Sequence, residues 1–200
     1  MPRISSREFL DLPLRVHSFL KDVPLHDVWA INLPGGPEGT TLWSFRNRFR
    51  AESWKTIPKA TKILLGLRIV LGRVFRLDTQ KPSQKLASYI RFLPRDEQSR
   101  SLLPPGSKEA FFDVVYWFEN EILLEAVNAR VYAFSAQVLT QTITGYRLYW
   151  AIYVKPAGWT TRTYMALIDP FRRWIVYPQL LNRMRQVWLR LYSDQQRTFA

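Results

Sequence analysis

Residues Thr160 to Tyr192 read TTRTYMALIDPFRRWIVYPQLLNRMRQVWLRLY, and the fold turns on them. Asp169 followed by Pro170 marks a helix start, because a carboxylate accepts first-turn amide hydrogens and proline fits where its missing N–H has no partner. Phe171, Trp174, Ile175, Pro178, Leu181, Trp188 and Leu191 then recur at helical intervals as one apolar stripe. Arg172, Arg173, Gln179, Arg183, Gln186 and Arg190 fall mostly away from it. Pro178 cannot donate to the turn before it, so a kink or restart is expected at Tyr177. The stripe needs a partner surface, and the preceding chain supplies strands.

From Phe111 the apolar period is two. Phe111 to Phe118, Ile122 to Val127, Val131 to Ile143 and Tyr146 to Val154 read as strands, with turn signals at Glu119–Glu121, Asn128 and Thr144–Gly145. Their connections are too short for parallel crossovers, which leaves an antiparallel meander. In the last strand Leu148, Trp150, Ile152 and Val154 share a face, and Arg147, Tyr149, Tyr153 and Lys155 take the other.

Further upstream, Asp27 to Leu33 alternates with Trp29, Ile31 and Leu33 on one side, and the turn-rich PGGPEG follows. Thr40 or Thr41 can cap a helix running to about Trp54. A second helix is expected over Pro58 to Leu77, amphipathic, with Lys59, Lys62, Arg73 and Arg76 on its polar side. Residues 1–26 read as a strap with one helical turn, and 78–108 as a loop-rich connection that docks in part through Leu86, Tyr89, Ile90 and Phe92. The sum is one α+β domain over residues 1–200. A curved antiparallel sheet wraps a long C-terminal helix, with two shorter helices after the first strand.

Composition limits the functions available. The chain is 47% hydrophobic and 14% aromatic over 200 residues, enough for a substantial core. It has no cysteine, which excludes disulfides, thiolate metal sites and thiol nucleophiles. The opening MPRISSREFLDLPLRVHSFLKD lacks the continuous apolar stretch of a secretory signal, so a cytoplasmic location is expected. The most apolar run, Ile63 to Phe75, is broken by Arg68 and Arg73 and falls short of the roughly 20 residues that span a bilayer. The net charge is +13, with 18 Lys+Arg against 9 Asp+Glu in residues 1–100 and 11 against 7 in residues 101–200. Such a surface attracts anionic lipid, nucleic acid or acidic protein by the same Coulombic attraction.

Four segments resemble a known family: LRIVLGRVFRLD (Leu67–Asp78), FENEILLEAVN (Phe118–Asn128), AIYVKPAGW (Ala151–Trp159) and YMALIDPFRRWIVYP (Tyr164–Pro178), with HDVWAINLP near the start. Together they are similar to the bacterial proteins grouped under the uncharacterised domain DUF2867. The order of elements resembles the helix-grip fold of the START and Bet v 1 superfamily, SRPBCC. The resemblance implies a cavity between sheet and terminal helix, used across the superfamily for lipids, polyketides or other apolar ligands. It implies no activity. Family members tend to carry a histidine shortly after the position of Asn128, and this chain has Tyr132 instead, so no imidazole role transfers there.

The residues themselves offer little catalytic equipment. His17 and His26 are the two histidines. His26 beside Asp27 is the better acid–base candidate, although neighbours on a strand point to opposite faces. Glu119, Glu121 and Glu125 share parity and are expected to face solvent, paired with bases such as Arg130 or Arg147. Nucleophile-elbow, P-loop, dinucleotide and HExxH patterns are absent from the sequence. Aromatic residues are the remaining asset, and Trp29, Tyr132, Trp150 and Tyr164 are the expected lining of a ligand cavity. The leading expectation is a binding protein for an apolar or amphipathic small molecule or lipid, without cofactor or metal. It would load from an anionic membrane through Lys59, Lys62, Arg73 and Arg76. A cyclase- or hydratase-like enzyme on the same fold is the second reading. A nucleic-acid binder is the third, favoured by charge but lacking a recognised module.

Overall fold

The computed structural model of the chain describes residues 3–53, 87–110, 112–127, 131–156, 169–170 and 172–197. The helix expected over Pro58 to Leu77, with Lys59, Lys62, Arg73 and Arg76, lies outside these residues, as do Tyr164 and Arg130. Six strands form one antiparallel sheet in the order β1-β6-β5-β4-β3-β2. They are β1 (Leu25–Pro34), β2 (Lys108–Glu109), β3 (Phe112–Trp117), β4 (Glu121–Val127), β5 (Val131–Thr142) and β6 (Gly145–Pro156). The meander from β3 to β6 follows the period-two pattern, and β1 closes onto β6 with Trp29 opposite Trp150 and Ile31 opposite Leu148. Register shifts at Leu25/Asp27 in β1 and at Val114/Tyr116 in β3 are β-bulges, which bend the sheet.

One face carries the C-terminal helix. Tyr177, Leu181, Met184, Val187, Trp188 and Tyr192 of α5 (Tyr177–Arg197) pack with Trp29, Ile31, Leu33, Leu148, Ile152 and Val154 of the sheet. Helix α3 (Leu42–Ser53) adds Leu42, Phe45 and Phe49 to the same cluster, with Phe45 edge-on to Trp188 at 5.2 Å between ring centroids. Thr41 caps α3 reciprocally with Ser44: each hydroxyl accepts from the other's backbone N–H, at 3.1 and 3.2 Å. The Gly-rich turn comes against Trp188, whose indole N–H donates to Pro34 O at 3.0 Å. Gly36 is needed there, because its φ is +96° and a Cβ would meet the Trp188 ring at 2.5 Å.

The helix head departs from the expected stripe. Residues 169–170 are helical, as the Asp–Pro signal implies, but Arg172–Val176 form a π-helical turn before α5 begins at Tyr177. A π turn accommodates Pro178, whose missing N–H would break a regular ladder. The extra residue rotates the upstream positions by about 100°. Trp174, expected in the apolar stripe, is consequently 80% exposed, and Arg172 turns inward to Tyr177.

The other face is also covered, by the strap. Helices α1 (Ser6–Leu10) and α2 (Arg15–Phe19) bring Phe9, Val16, Leu20 and Val23 onto Val115, Tyr116, Leu123, Phe134, Ala136 and Tyr149. Tyr89 and Leu93, in and just after the 3-10 turn Tyr89–Phe92, complete this layer, ahead of the short helix α4 (Arg95–Arg100). This overturns the expected solvent exposure of Glu121 and Glu125, which are buried here, whereas Glu119 is exposed. Glu121 accepts from the backbone N–H groups of Arg15 (3.0 Å) and Val16 (2.7 Å) and from the Tyr116 hydroxyl (2.5 Å). Glu125 accepts from Tyr89 N–H (3.0 Å) and the Ser88 hydroxyl. Their partners are the strap and the 3-10 turn rather than bases, and Arg147 pairs instead with Glu8 at 2.6 Å.

Candidate functional site

Where β1 meets the head of the terminal helix, charged side chains gather at the edge of the helix-covered face. Asp27 has the parity of Trp29, Ile31 and Leu33, so it faces the helix, and its side chain is fully buried. His26 would normally point away, but the bulge at Leu25/Asp27 lies at this point of β1, and His26 and Asp27 both come to the helix head. His26 Nε2 is 2.7 Å from Asp169 Oδ2 and 3.6 Å from Asp27 Oδ2. Asp169, read as a helix cap, thus directs its carboxylate to side chains: His26 on one oxygen and Arg172 Nη1, at 3.2 Å, on the other. Arg3 Nε and Arg173 Nη2 stand 3.2 and 3.3 Å from Asp27 Oδ1. A cleft of about 300 Å³ opens beside this node, lined by Asp169, Pro170, Arg173 and Trp174.

Tyr177 joins the charged node to the interior. Its hydroxyl accepts from Arg172 Nε at 2.7 Å, and its ring lies 5.6 Å from Trp29 and 6.2 Å from Trp150 between centroids. Burial raises the Tyr177 hydroxyl above its ordinary pKa, with Arg172 pulling the other way, so it stays a neutral phenol. Beyond the two indoles a line of polar side chains continues across the sheet. Gln137 is the β5 partner of Trp150 and Ser135 that of Ile152, and both are buried facing the terminal helix. Trp29 Nε1, Trp150 Nε1, Ser135 Oγ and Gln137 Oε1 are all buried atoms without a hydrogen-bond partner among the described residues. Each such atom costs about 1–3 kcal/mol.

Of the four expected lining residues, the structure brings Trp29 and Trp150 together. It places Tyr132 on the strap face, edge-on to Tyr89 at 5.1 Å, where it cannot line a space beneath the helix. His17 is structural: a carbonyl only accepts, so Nε2–H donates to Phe9 O (3.0 Å) and Nδ1 accepts from the Tyr153 hydroxyl (3.3 Å). For His26 the principal carboxylate is Asp169, 143 residues away, rather than Asp27 next to it. Sequence reasoning also missed Ser135 and Gln137, although two polar residues of one parity inside the apolar run AFSAQVL were a visible signal. His26, Asp27 and Asp169 present ligand atoms all within 4.8 Å of one another, a spacing that can hold a metal ion. No helix among the described residues is long and apolar enough to cross a membrane.

The family described as "Protein of unknown function (DUF2867)" matches residues 19–179. No curated protein and no solved structure matches the chain.

Proposed function

Because the chain belongs to the DUF2867 family, whose members carry no assigned activity, we propose that it is a helix-grip protein of the SRPBCC type. On this reading it holds an apolar or amphipathic small molecule or lipid between sheet and C-terminal helix. The strand order β1-β6-β5-β4-β3-β2, with α3 after β1 and the long α5 across one face, supports the helix-grip assignment. The observation that carries the binding reading is the set of unpartnered polar atoms on Trp29, Trp150, Ser135 and Gln137. A folded protein keeps such groups where a ligand completes them. Two indole donors beside a hydroxyl and an amide suit a mostly apolar molecule with one neutral oxygen-bearing group. A cytoplasmic protein with a net charge of +13 would load from anionic membrane through Lys59, Lys62, Arg73 and Arg76.

Native mass spectrometry of the purified protein, before and after organic extraction, tests the proposal. A co-purifying small mass that extraction removes is expected. An empty protein that binds no lipid or polyketide probe would overturn it. An enzyme of cyclase or hydratase type on the same frame is a second reading, favoured by the 2.7 Å His26–Asp169 pair beside the cleft. Unchanged turnover of a candidate substrate by His26→Gln would count against that version.

A further inference from the structure

We propose that His26, Asp27 and Asp169 form a binding site for a divalent transition-metal ion, open on the side of the cleft beside Arg173 and Trp174. The proposal stands whether or not an organic ligand occupies the helix-covered face.

The geometry is close to what an ion requires. Bonds of about 2.0–2.2 Å at tetrahedral to octahedral angles separate neighbouring ligand atoms by about 2.8–3.6 Å. His26 Nε2 lies 2.7 Å from Asp169 Oδ2 and 3.6 Å from Asp27 Oδ2, one just below this range and one at its upper end. The two carboxylates present oxygens within 4.8 Å of each other, so they would close on the ion by side-chain adjustment. The ligands come from the first paired residues of β1 and from the head of the helix packed on it, so the set is positioned by the fold. The bulge in β1 lies where a regular strand would send His26 and Asp27 to opposite faces.

Asp27 is the independent pointer. Its side chain is fully buried; Arg173 Nε donates to its Oδ2 at 3.4 Å, but its Oδ1 accepts no hydrogen bond from the described residues although Arg3 and Arg173 stand within 3.3 Å. A buried carboxylate needs close compensation, and here one oxygen has only off-axis guanidiniums while the other has one long hydrogen bond. These arginines also set the objection. Arg3, Arg172 and Arg173 carry three positive charges against the two aspartates, so an incoming dication requires some to leave. Arg172 is held on the Tyr177 hydroxyl and can stay. Arg3 and Arg173 are 50% and 33% exposed at their side chains and can swing into water. Giving up those pairs uncovers the buried Asp27 carboxylate, and the charge of the incoming dication takes their place. One imidazole nitrogen and two carboxylates, without thiolate, suit Zn²⁺ or Mn²⁺ and discriminate against Mg²⁺. The side toward the cleft leaves coordination positions for water or an anionic group, with the displaced Arg173 beside it.

Calorimetric titration of the full chain, stripped with chelator, against zinc, manganese and magnesium chlorides is the test. The expected result is one Zn²⁺ or Mn²⁺ per chain at micromolar affinity or tighter, with magnesium at least tenfold weaker. Asp169→Asn and His26→Gln should each lose tenfold or more with an unchanged circular dichroism spectrum. Arg173→Ala should bind zinc several-fold more tightly, because it removes a competitor; it also serves as the second variant if the ligand substitutions fail to fold. Absence of stoichiometric binding overturns the proposal. So does binding that survives Asp169→Asn, or an Arg173→Ala variant that binds no more tightly than the parent.

Discussion

On the strap-covered face of the sheet, Glu121 and Glu125 are buried, and both oxygens of each are occupied by backbone N–H groups and hydroxyls of the strap, the 3-10 turn and Tyr116. On the helix-covered face, Trp29, Ser135 and Gln137 are also buried and Trp150 partly so, and the two indole Nε1 atoms, Ser135 Oγ and Gln137 Oε1 have no hydrogen-bond partner among the described residues. The contrast is not between a polar and an apolar layer, since both layers are dominated by aromatic and branched side chains. It is between a face completed by its own chain and a face that a further molecule would complete. Arg147 Nε is an unpartnered atom on the strap face, but the same guanidinium bridges to Glu8. On the proposed reading the first face is architecture and the second a site.

Substitutions can break or sharpen that contrast. The largest effect belongs to Glu121→Gln. Two backbone N–H groups and the Tyr116 hydroxyl would compete for one carbonyl oxygen while an amide NH₂ faces donors, so a loss of about 3 kcal/mol is expected in urea denaturation. A loss below about 1 kcal/mol would mean that the strap is not held by this carboxylate. Gly36→Ala should loosen the helix-covered face instead, by about 2 kcal/mol, through a positive φ and a clash with Trp188. Trp188 fluorescence should change while strap amides keep their hydrogen-exchange protection.

Gln137→Leu should act in the opposite direction. Removing a buried, unsatisfied amide is expected to stabilise the extracted protein by about 1 kcal/mol and to reduce any co-purifying mass. A destabilised variant would show that Gln137 already has its partner. The smallest effect is that of Glu125→Gln, below about 1 kcal/mol, because the Ser88 hydroxyl can turn to accept from the new amide while Tyr89 N–H keeps its oxygen. Its signature is in pH. Burial raises the Glu125 carboxyl above its ordinary value of 4.5, against the hydrogen bonds from Ser88 and Tyr89. A raised folded value means the native state holds the proton more tightly than the unfolded chain, so this contribution is full below the unfolded value and lost as pH rises through the folded one. Wild type should therefore lose some stability from about pH 4.5 upward that Glu125→Gln does not lose, measured by denaturation across that range.

Periodicity made much of the frame legible. The four meander strands, β1 and the helix after it sit within a few residues of where alternation and capping signals placed them, because those signals are local. What local patterns do not carry is which side of a strand will be covered. β5 is apolar at both parities, Phe134, Ala136 and Val138 on one and Ala133 and Leu139 on the other, so nothing in the pattern told Tyr132 from the residues beneath the helix. Glu121 and Glu125 looked solvent-facing because their partners come from residues 15, 16, 88 and 89, brought in by tertiary packing. The exposure of Trp174 follows from a single π turn that a regular helical count does not contain. Trp29 and Trp150 were legible as a pair because each shares parity with an unbroken apolar series in its own strand.

The central claim, that the helix-covered face is completed by a bound molecule, is most directly tested at the indole N–H groups. In ¹⁵N–¹H spectra of the protein as purified and after organic extraction, the Trp29 and Trp150 indole resonances should move on extraction and return when the extracted compound is added back. The Trp188 indole, bonded to Pro34 O at 3.0 Å, should stay in place as the internal reference. Trp29 and Trp150 resonances that are identical before and after extraction, in a protein that releases no small molecule, would contradict the account.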